Sequence, residues 1–210
     1  MLNDKNIYFL GYSGHAYVAI DVAKAGGFNI SGYFDKCKSL KDPYNIQYIG
    51  NEQELDVRSI VKEAYVFPAI GSNSIRRKLH ILLNDLNINQ VVLRHPSAFI
   101  SISAAIGESS LINPNAVVNS FAIIGRACII NTGSIIEHEC EIGDYSHIAP
   151  GAVLAGNVQV GKNCFVGANS VIKQGITITD DVIIGAGSVV LKNITEKGTW
   201  VGNPAKLLIK

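Results

Sequence analysis

The stretch FAIIGRACIINTGSIIEHECEIGDYSHI, residues 121–148, decides the fold. In it Ile124, Ile130, Ile136, Ile142 and Ile148 stand six residues apart. The column extends both ways without a slip: Ile100, Ile106, Ile112 and Val118 precede it, and Leu154, Val160, Val166, Ile172, Ile178, Ile184 and Val190 follow. A period of six belongs to neither a helix nor an ordinary strand; it marks a repeat architecture. Four residues after each aliphatic stands a second column, mostly small, that includes Ala104, Ser110, Ala116, Ala122, Cys128, Ser134, Cys140, Ser146 and Ala152. Gly follows the aliphatic at 107, 125, 143, 161, 167 and 185, where a tight turn tolerates little side chain. Short parallel strands joined by turns, three hexapeptides to a coil, put the aliphatic column inside a prism. The expectation is a parallel β-helix of about five coils.

The cysteines fall into place with it. Cys128, Cys140 and Cys164 occupy the small-residue column, which makes them buried structural thiols rather than metal ligands or redox groups. Four cysteines in 210 residues do not form a secreted disulfide framework. Composition agrees: 48% hydrophobic and 17% charged residues allow a sizeable core. The net charge of +1 offers no field that would draw the chain to nucleic acid or an anionic membrane. The start, MLNDKNIYFL, sets Asp4 and Lys5 before a short apolar run and does not read as a signal peptide; a cytoplasmic protein is expected.

Residues 5–95 lack the period and alternate between strand and helix. Ile7–Leu10 reads as a strand that ends at Gly11, and Gly11-Tyr12-Ser13-Gly14-His15 leads into a helix over Ala16–Ala25. Ile30–Phe34 is a second strand with Asp35 at its end. Ala64–Ile70 is a third, running into Gly71-Ser72-Asn73 and a helix near Ile75–Asn87; Gln90–Leu93 is a fourth. This order predicts a small Rossmann-like parallel sheet with ligands at the carboxyl ends of its strands. Three loops share that edge: Gly11–His15, Asp35-Lys36 and Gly71–Asn73. The glycine turn is G-x-x-G rather than G-x-G-x-x-G, so the residues alone allow a tight structural turn, or a mononucleotide or nucleotide sugar at the helix N-terminus. Asp35 is a candidate acceptor for a ribose or base, or else a solvated strand end.

Together these motifs resemble one family. The strand ending in Gly11-Tyr12-Ser13-Gly14-His15-Ala16, the link His95-Pro96-Ser97-Ala98, the run Ile136-Glu137-His138-Glu139-Cys140 and the ending Val201-Gly202-Asn203-Pro204-Ala205-Lys206 look like the bacterial sugar O/N-acyltransferases. The resemblance is nearest to the enzymes that acetylate UDP-4-amino sugars. It implies a left-handed β-helix over residues 97–210 and a nucleotide-sugar-binding domain over residues 1–96. It also implies a homotrimer, with acetyl-CoA lying between neighbouring β-helices. The implied reaction is N-acetylation of a nucleotide-linked 4-amino-4,6-dideoxy sugar for surface glycan synthesis, with UDP favoured over GDP.

Acyl transfer from a thioester needs a neutral nucleophile, a base and a stabiliser for the oxyanion. His138 sits in a turn, two residues past interior Ile136, and an imidazole there can serve as a base. The family implies that role for it, with Glu139 orienting the imidazole. It implies contacts with the acetyl-CoA thioester for His147 and backbone contacts with CoA at Ala168 and Ala186. Ser13, Gly14, His15, Asp35, Lys36 and Gly71 match its sugar-nucleotide contacts, although Lys36 replaces an acidic residue. His80 reads as a helix-surface residue and His95 as part of the link. Trp200, Lys206 and Lys210 belong to a C-terminal tail. Competing readings are an O-acetyltransferase acting on a sugar or sialic acid and a non-catalytic β-helix that binds a sugar nucleotide. A zinc site would need three histidines, and the β-helix offers His138 and His147 alone.

Overall fold

The computed structural model describes residues 5–209; Met1–Asp4 and Lys210 lie outside the described residues. The N-terminal unit is a four-stranded parallel sheet built from β1 (Asn6–Leu10), β2 (Asn29–Phe34), β3 (Tyr48–Gly50) and β4 (Tyr65–Pro68), in the spatial order β3-β2-β1-β4. Helices α1 (Gly14–Ala25), α2 (Val57–Val61) and α3 (Asn73–Asp85) complete it. Two apolar clusters flank the sheet. One joins Ile7 and Phe9 to Ala16, Ala19, Ile20 and Ala23 of α1; the other joins Leu10 and Phe34 to Val57, Val61 and Leu83. The strands are apolar on both faces because helices cover both.

The sequence reading differs here in one respect. Gln90–Leu93 is not a strand of this sheet. Leu93–Arg94 instead pairs in parallel with Leu111–Ile112 and forms the first rung of the β-helix. The fourth strand of the sheet is β3, in a polar stretch where short runs such as Tyr48-Ile49 carry little periodic signal.

The β-helix has three faces. The first stacks Leu93–Arg94, Leu111–Ile112, Ile129–Ile130, His147–Ile148, Phe165–Val166, Val182–Ile184 and Gly198–Val201, ending on antiparallel Lys206–Leu207. The second runs from Phe99–Ile100 to Val189–Val190 in six strands, and the third from Ala105–Ile106 to Thr177–Ile178 in five. The stack thus reaches somewhat past the five coils expected. From Leu111–Ile112 to Val189–Val190 each strand buries its last residue, so the aliphatic column is the core, with Ile112, Ile130, Ile136, Ile148 and Leu154 fully buried. Trp200 does not belong to a free tail: it lies in the last parallel strand of the first face, packed against this core, and Lys206 pairs back on that strand.

The small column explains itself in hydrogen bonds. The Ser110, Ser146 and Ser170 hydroxyls donate to the carbonyls of Gly125, Gly161 and Gly185, fifteen residues on. The thiols of Cys128, Cys140 and Cys164 reach the Gly143, Ala155 and Thr179 carbonyls at 3.1–3.3 Å in the same way. Ser and Cys share this column because each is small and carries one donor. Burial pushes the Cys128 thiol up to about 12 and the Cys164 thiol to about 11. These are inert structural thiols.

A third column emerges from the backbone. Every sixth residue from Ser109 to Gly187 has a positive φ. Gly, Asn and Asp hold most of these turns, as left-handed geometry favours. Ser109, Phe121, Ala127, Glu139 and Tyr145 do not fit that preference, and three of them return below.

Candidate active site

The carboxyl ends of β1, β2 and β4 bring the three predicted loops to one edge. Ser13 and Gly14 open α1, and Ser72 precedes α3; neither serine side chain caps its helix, so both N-termini keep free backbone donors there. Gly11 takes a φ of +95°, and a Cβ on it would run into Ile70 of the neighbouring loop. Asp35 clips two loops together, accepting from the Tyr12 and Lys36 amides at 3.0 and 2.8 Å. It is therefore no free strand end. The Lys36 side chain is exposed. Tyr12 donates its hydroxyl to Asp42, which tethers the following loop.

His15 and Gly71 face the β-helix, and the first face meets them with His147. The His15 and His147 rings lie 6.4 Å apart, centre to centre. Burial and the nearby Arg76 charge depress both, His15 to about 4 and His147 to about 3, so both are neutral near pH 7. Nε2 of His15 and Nδ1 of His147 are buried without a partner. His147 Nε2 pairs with the Asn131 amide at 3.0 Å.

Arg76, in α3, holds the two units together. It is 1% exposed. Its guanidinium donates to the carbonyls of Ile70 and Gly71 in the loop, to those of Ala127 and Tyr145 in the β-helix, and to Asn73 Oδ1. Ala127 and Tyr145 are two of the strained turn residues, and their carbonyls are the ones that meet Arg76. Asn73 adds a bond to the Cys164 carbonyl.

His138 and Glu139 stand elsewhere, on the edge between the second and third faces. His138 Nδ1 meets Glu139 Oε2 at 3.0 Å, with both side chains at least half exposed. Glu139 adopts a φ of 60°. Behind the imidazole lies Gly156, one coil on, where a Cβ would fall 2.5 Å from Cε1 and Nε2. Ala168 and Ala186 stack one coil apart on the edge between the first and second faces. The single chain thus assembles His15, Gly71 and His147, and it assembles His138 with Glu139. His138 and Glu139 lie on a different edge from the two alanines.

Correcting the sequence reading, His80 is fully buried, bonded to Gln90 and Asn84, because α3 turns that face onto the β-helix. Among the described residues no three His, Cys, Asp or Glu side chains converge as metal ligands. No described helix is long and apolar enough to cross a membrane.

Residues 6–83 match the PglD N-terminal domain, residues 121–156 the bacterial transferase hexapeptide (six repeats) and residues 157–192 the hexapeptide repeat of succinyl-transferase. The perosamine N-acetyltransferase of Caulobacter crescentus, solved as a histidine-to-asparagine variant with CoA and GDP-perosamine, is 30% identical. That match covers 98% of this chain and 97% of the other, with a TM-score of 0.92. The chain belongs to the bacterial hexapeptide sugar N-acetyltransferases. The acetyltransferase domain of PglB from Neisseria gonorrhoeae is also 30% identical, covered in full, with a TM-score of 0.91. UDP-N-acetylbacillosamine N-acetyltransferase of Bacillus subtilis is 32% identical over 110 residues, and that match spans about half of each chain (51%). The family's two-part build is what the strand pairing shows here.

Sequence reasoning missed Arg76 as a tie between the units and Gly156 as the seat of His138. Gly156 was within reach: it stands 18 residues after His138, one coil in a period already known. Arg76 was not, because its partners are backbone carbonyls far along the chain.

Proposed function

We propose that this protein transfers the acetyl group of acetyl-CoA to the 4-amino group of a nucleotide-linked 4-amino-4,6-dideoxy sugar, UDP-linked before GDP-linked. The observation that carries the reading is the His138–Glu139 pair at 3.0 Å, exposed on a β-helix edge and seated on Gly156. Glu139 accepts from Nδ1–H and leaves Nε2 as the basic nitrogen. As the neutral amine attacks the thioester carbonyl, Nε2 takes its proton; the C–S bond then breaks, and the thiolate leaves with that proton. The CoA complexes of the perosamine enzyme and the acetyl coenzyme A complex of the PglB domain support the co-substrate.

The sugar nucleotide fits the first unit, where two free helix N-termini and the Ser13, Gly14, His15, Asp35, Lys36 and Gly71 backbone or side chains share one sheet edge. We place the division of labour near residue 96, with acyl transfer on the β-helix side. The second face presents Phe99, Val117, Ile135, Val153, Val171 and Val189 in one outward apolar stripe, beside the His138 edge. A homotrimer covers that stripe, and a neighbouring copy then supplies Ala168, Ala186 and His147 to complete the cofactor site. A cytoplasmic location matches its soluble co-substrates.

The test is release of CoA thiol by the purified protein with acetyl-CoA and a panel of UDP- and GDP-4-amino-4,6-dideoxy sugars plus sialic acid, beside His138→Ala. Turnover of an amino sugar, lost in the variant, supports both reaction and base. Turnover of hydroxyl acceptors alone, or full activity in the variant, overturns the corresponding half.

A further inference from the structure

Asn113 is completely buried, and the sequence gives it no chemistry. It lies one coil before Asn131 and donates Nδ2–H to Asn131 Oδ1 at 2.8 Å. Its own Oδ1 has no partner. A buried amide that leaves its carbonyl unpaired costs stability, so its retention calls for a role.

The orientation of the chain of amides follows from one unambiguous donor. The backbone N–H of Thr132 donates to Asn131 Oδ1 at 2.8 Å, and a backbone amide has no other way to bond. Asn131 Oδ1 is therefore the acceptor and Nδ2 faces His147. Since Nδ2 can only donate, Nε2 of His147 accepts, at 3.0 Å. The neutral ring must then carry its proton on Nδ1. That nitrogen is buried at the junction with the first unit, beside the Gly71 backbone and the His15 ring.

We propose that Asn113 is a positioning residue: through Asn131 it fixes His147 as an Nδ1–H donor at the junction where His15 and Gly71 meet the β-helix. Asn113 and the Thr132 amide hold the same oxygen from two sides, so the Asn131 amide cannot turn over. Although the proposed function places the His147 ring in a neighbouring copy's cofactor site, its Nδ1 lies against the Gly71 loop of its own nucleotide-sugar unit, so loss of that donor acts on the sugar site first, while His138 stands on another edge. This kinetic consequence rests on the proposed acetyl transfer; the tautomer does not.

The experiment is nitrogen-15 NMR of histidine-labelled protein, with Asn113→Asp as an isosteric variant and Asn113→Ala as a second that introduces no charge. The wild type is expected to show His147 protonated on Nδ1 and neutral throughout the range around pH 7. In Asn113→Asp, read at mildly alkaline pH, a carboxylate faces Asn131 Oδ1. The amide turns over and the His147 proton moves to Nε2. Asn113→Ala leaves the Asn131 oxygen held by the Thr132 amide alone, so the Nδ1 proton persists with a minor Nε2-protonated population that the wild type lacks. With the amino-sugar substrate, Asn113→Asp raises KM for the nucleotide sugar roughly tenfold while kcat stays within about threefold. An Nε2-protonated wild type, an Asn113→Asp spectrum like the wild type, or a loss confined to kcat overturns the proposal. If no sugar in the panel is acetylated, the proposed reaction fails and the tautomer measurement still decides this inference.

Discussion

The imidazole of His138 lies across Gly156: a methyl group there would sit 2.5 Å from Nε2, the nitrogen proposed to accept the amine proton. Gly156 does not adopt the left-handed backbone that would itself call for glycine. Its missing side chain is thus a matter of room for the ring. Gly156→Ala is expected to fold with a thermal midpoint close to the parent and to push the imidazole aside. A displacement near 1 Å at the base lowers kcat about 100-fold. KM for acetyl-CoA should stay within a small factor. Steady-state thiol release with a thermal melt checks both, and an active Gly156→Ala enzyme removes Gly156 from the site.

Arg76 makes the opposite kind of prediction, one about stability. Its five bonds run to four carbonyls and one amide oxygen, with no carboxylate among them. Burial lowers its pKa to about 10, and the guanidinium remains charged near neutrality. Arg76→Met removes the charge together with every donor and leaves buried acceptors on both units unpaired. The expected loss is about 3 kcal/mol, measured as the shift in a urea midpoint. Arg76→Lys, with three donors in place of five, should fall between the two.

The β-helix was legible because its period is rigid. Each coil spends 18 residues, so a phase error anywhere would bury a polar side chain, and Ile100 to Val190 shows none. The same arithmetic put His138 on a turn and Cys128, Cys140 and Cys164 in the core, where the structure has them. Two things were not legible. The strand β3 lies in a stretch whose order comes from tertiary bonds, such as Tyr12 to Asp42 and the Asp42 carboxylate to the Ile46 amide. The meeting of His15 with His147 depends on how the first unit docks, and local sequence carries no record of an angle between two units.

That docking also sets a pH dependence. His15 and His147 are held neutral, at about 4 and about 3, against an ordinary value near 6.5. Below pH 6.5 the unfolded chain binds protons that the folded chain refuses. Stability is therefore full above pH 6.5 and declines as the pH falls towards the folded values. By pH 4.5 each histidine costs about 3 kcal/mol. Melting or urea curves from pH 7.5 to 4.5 should show this decline, and His147→Gln should remove roughly half of it. A flat profile would mean that the two rings reach water.

Glu139 separates stability from activity at a single residue. Its φ of 60° is the geometry that other turns of the stack assign to Gly133, Gly151 and Asn157. A glutamate there carries about 1 kcal/mol of backbone strain. Glu139→Gly relieves that strain, offset in part by the greater freedom of glycine in the unfolded chain. The net change should be small and towards greater stability. Activity moves the other way, since nothing then holds Nδ1–H of His138; a fall of tenfold to 100-fold in kcat is expected. Glu139→Gln keeps the strain and loses the charge, so it should match the parent in stability while remaining slow. A carboxylate kept in a turn that prefers glycine is retained for the imidazole beside it, and these two variants, measured by melting and by thiol release, test that assignment without touching His138.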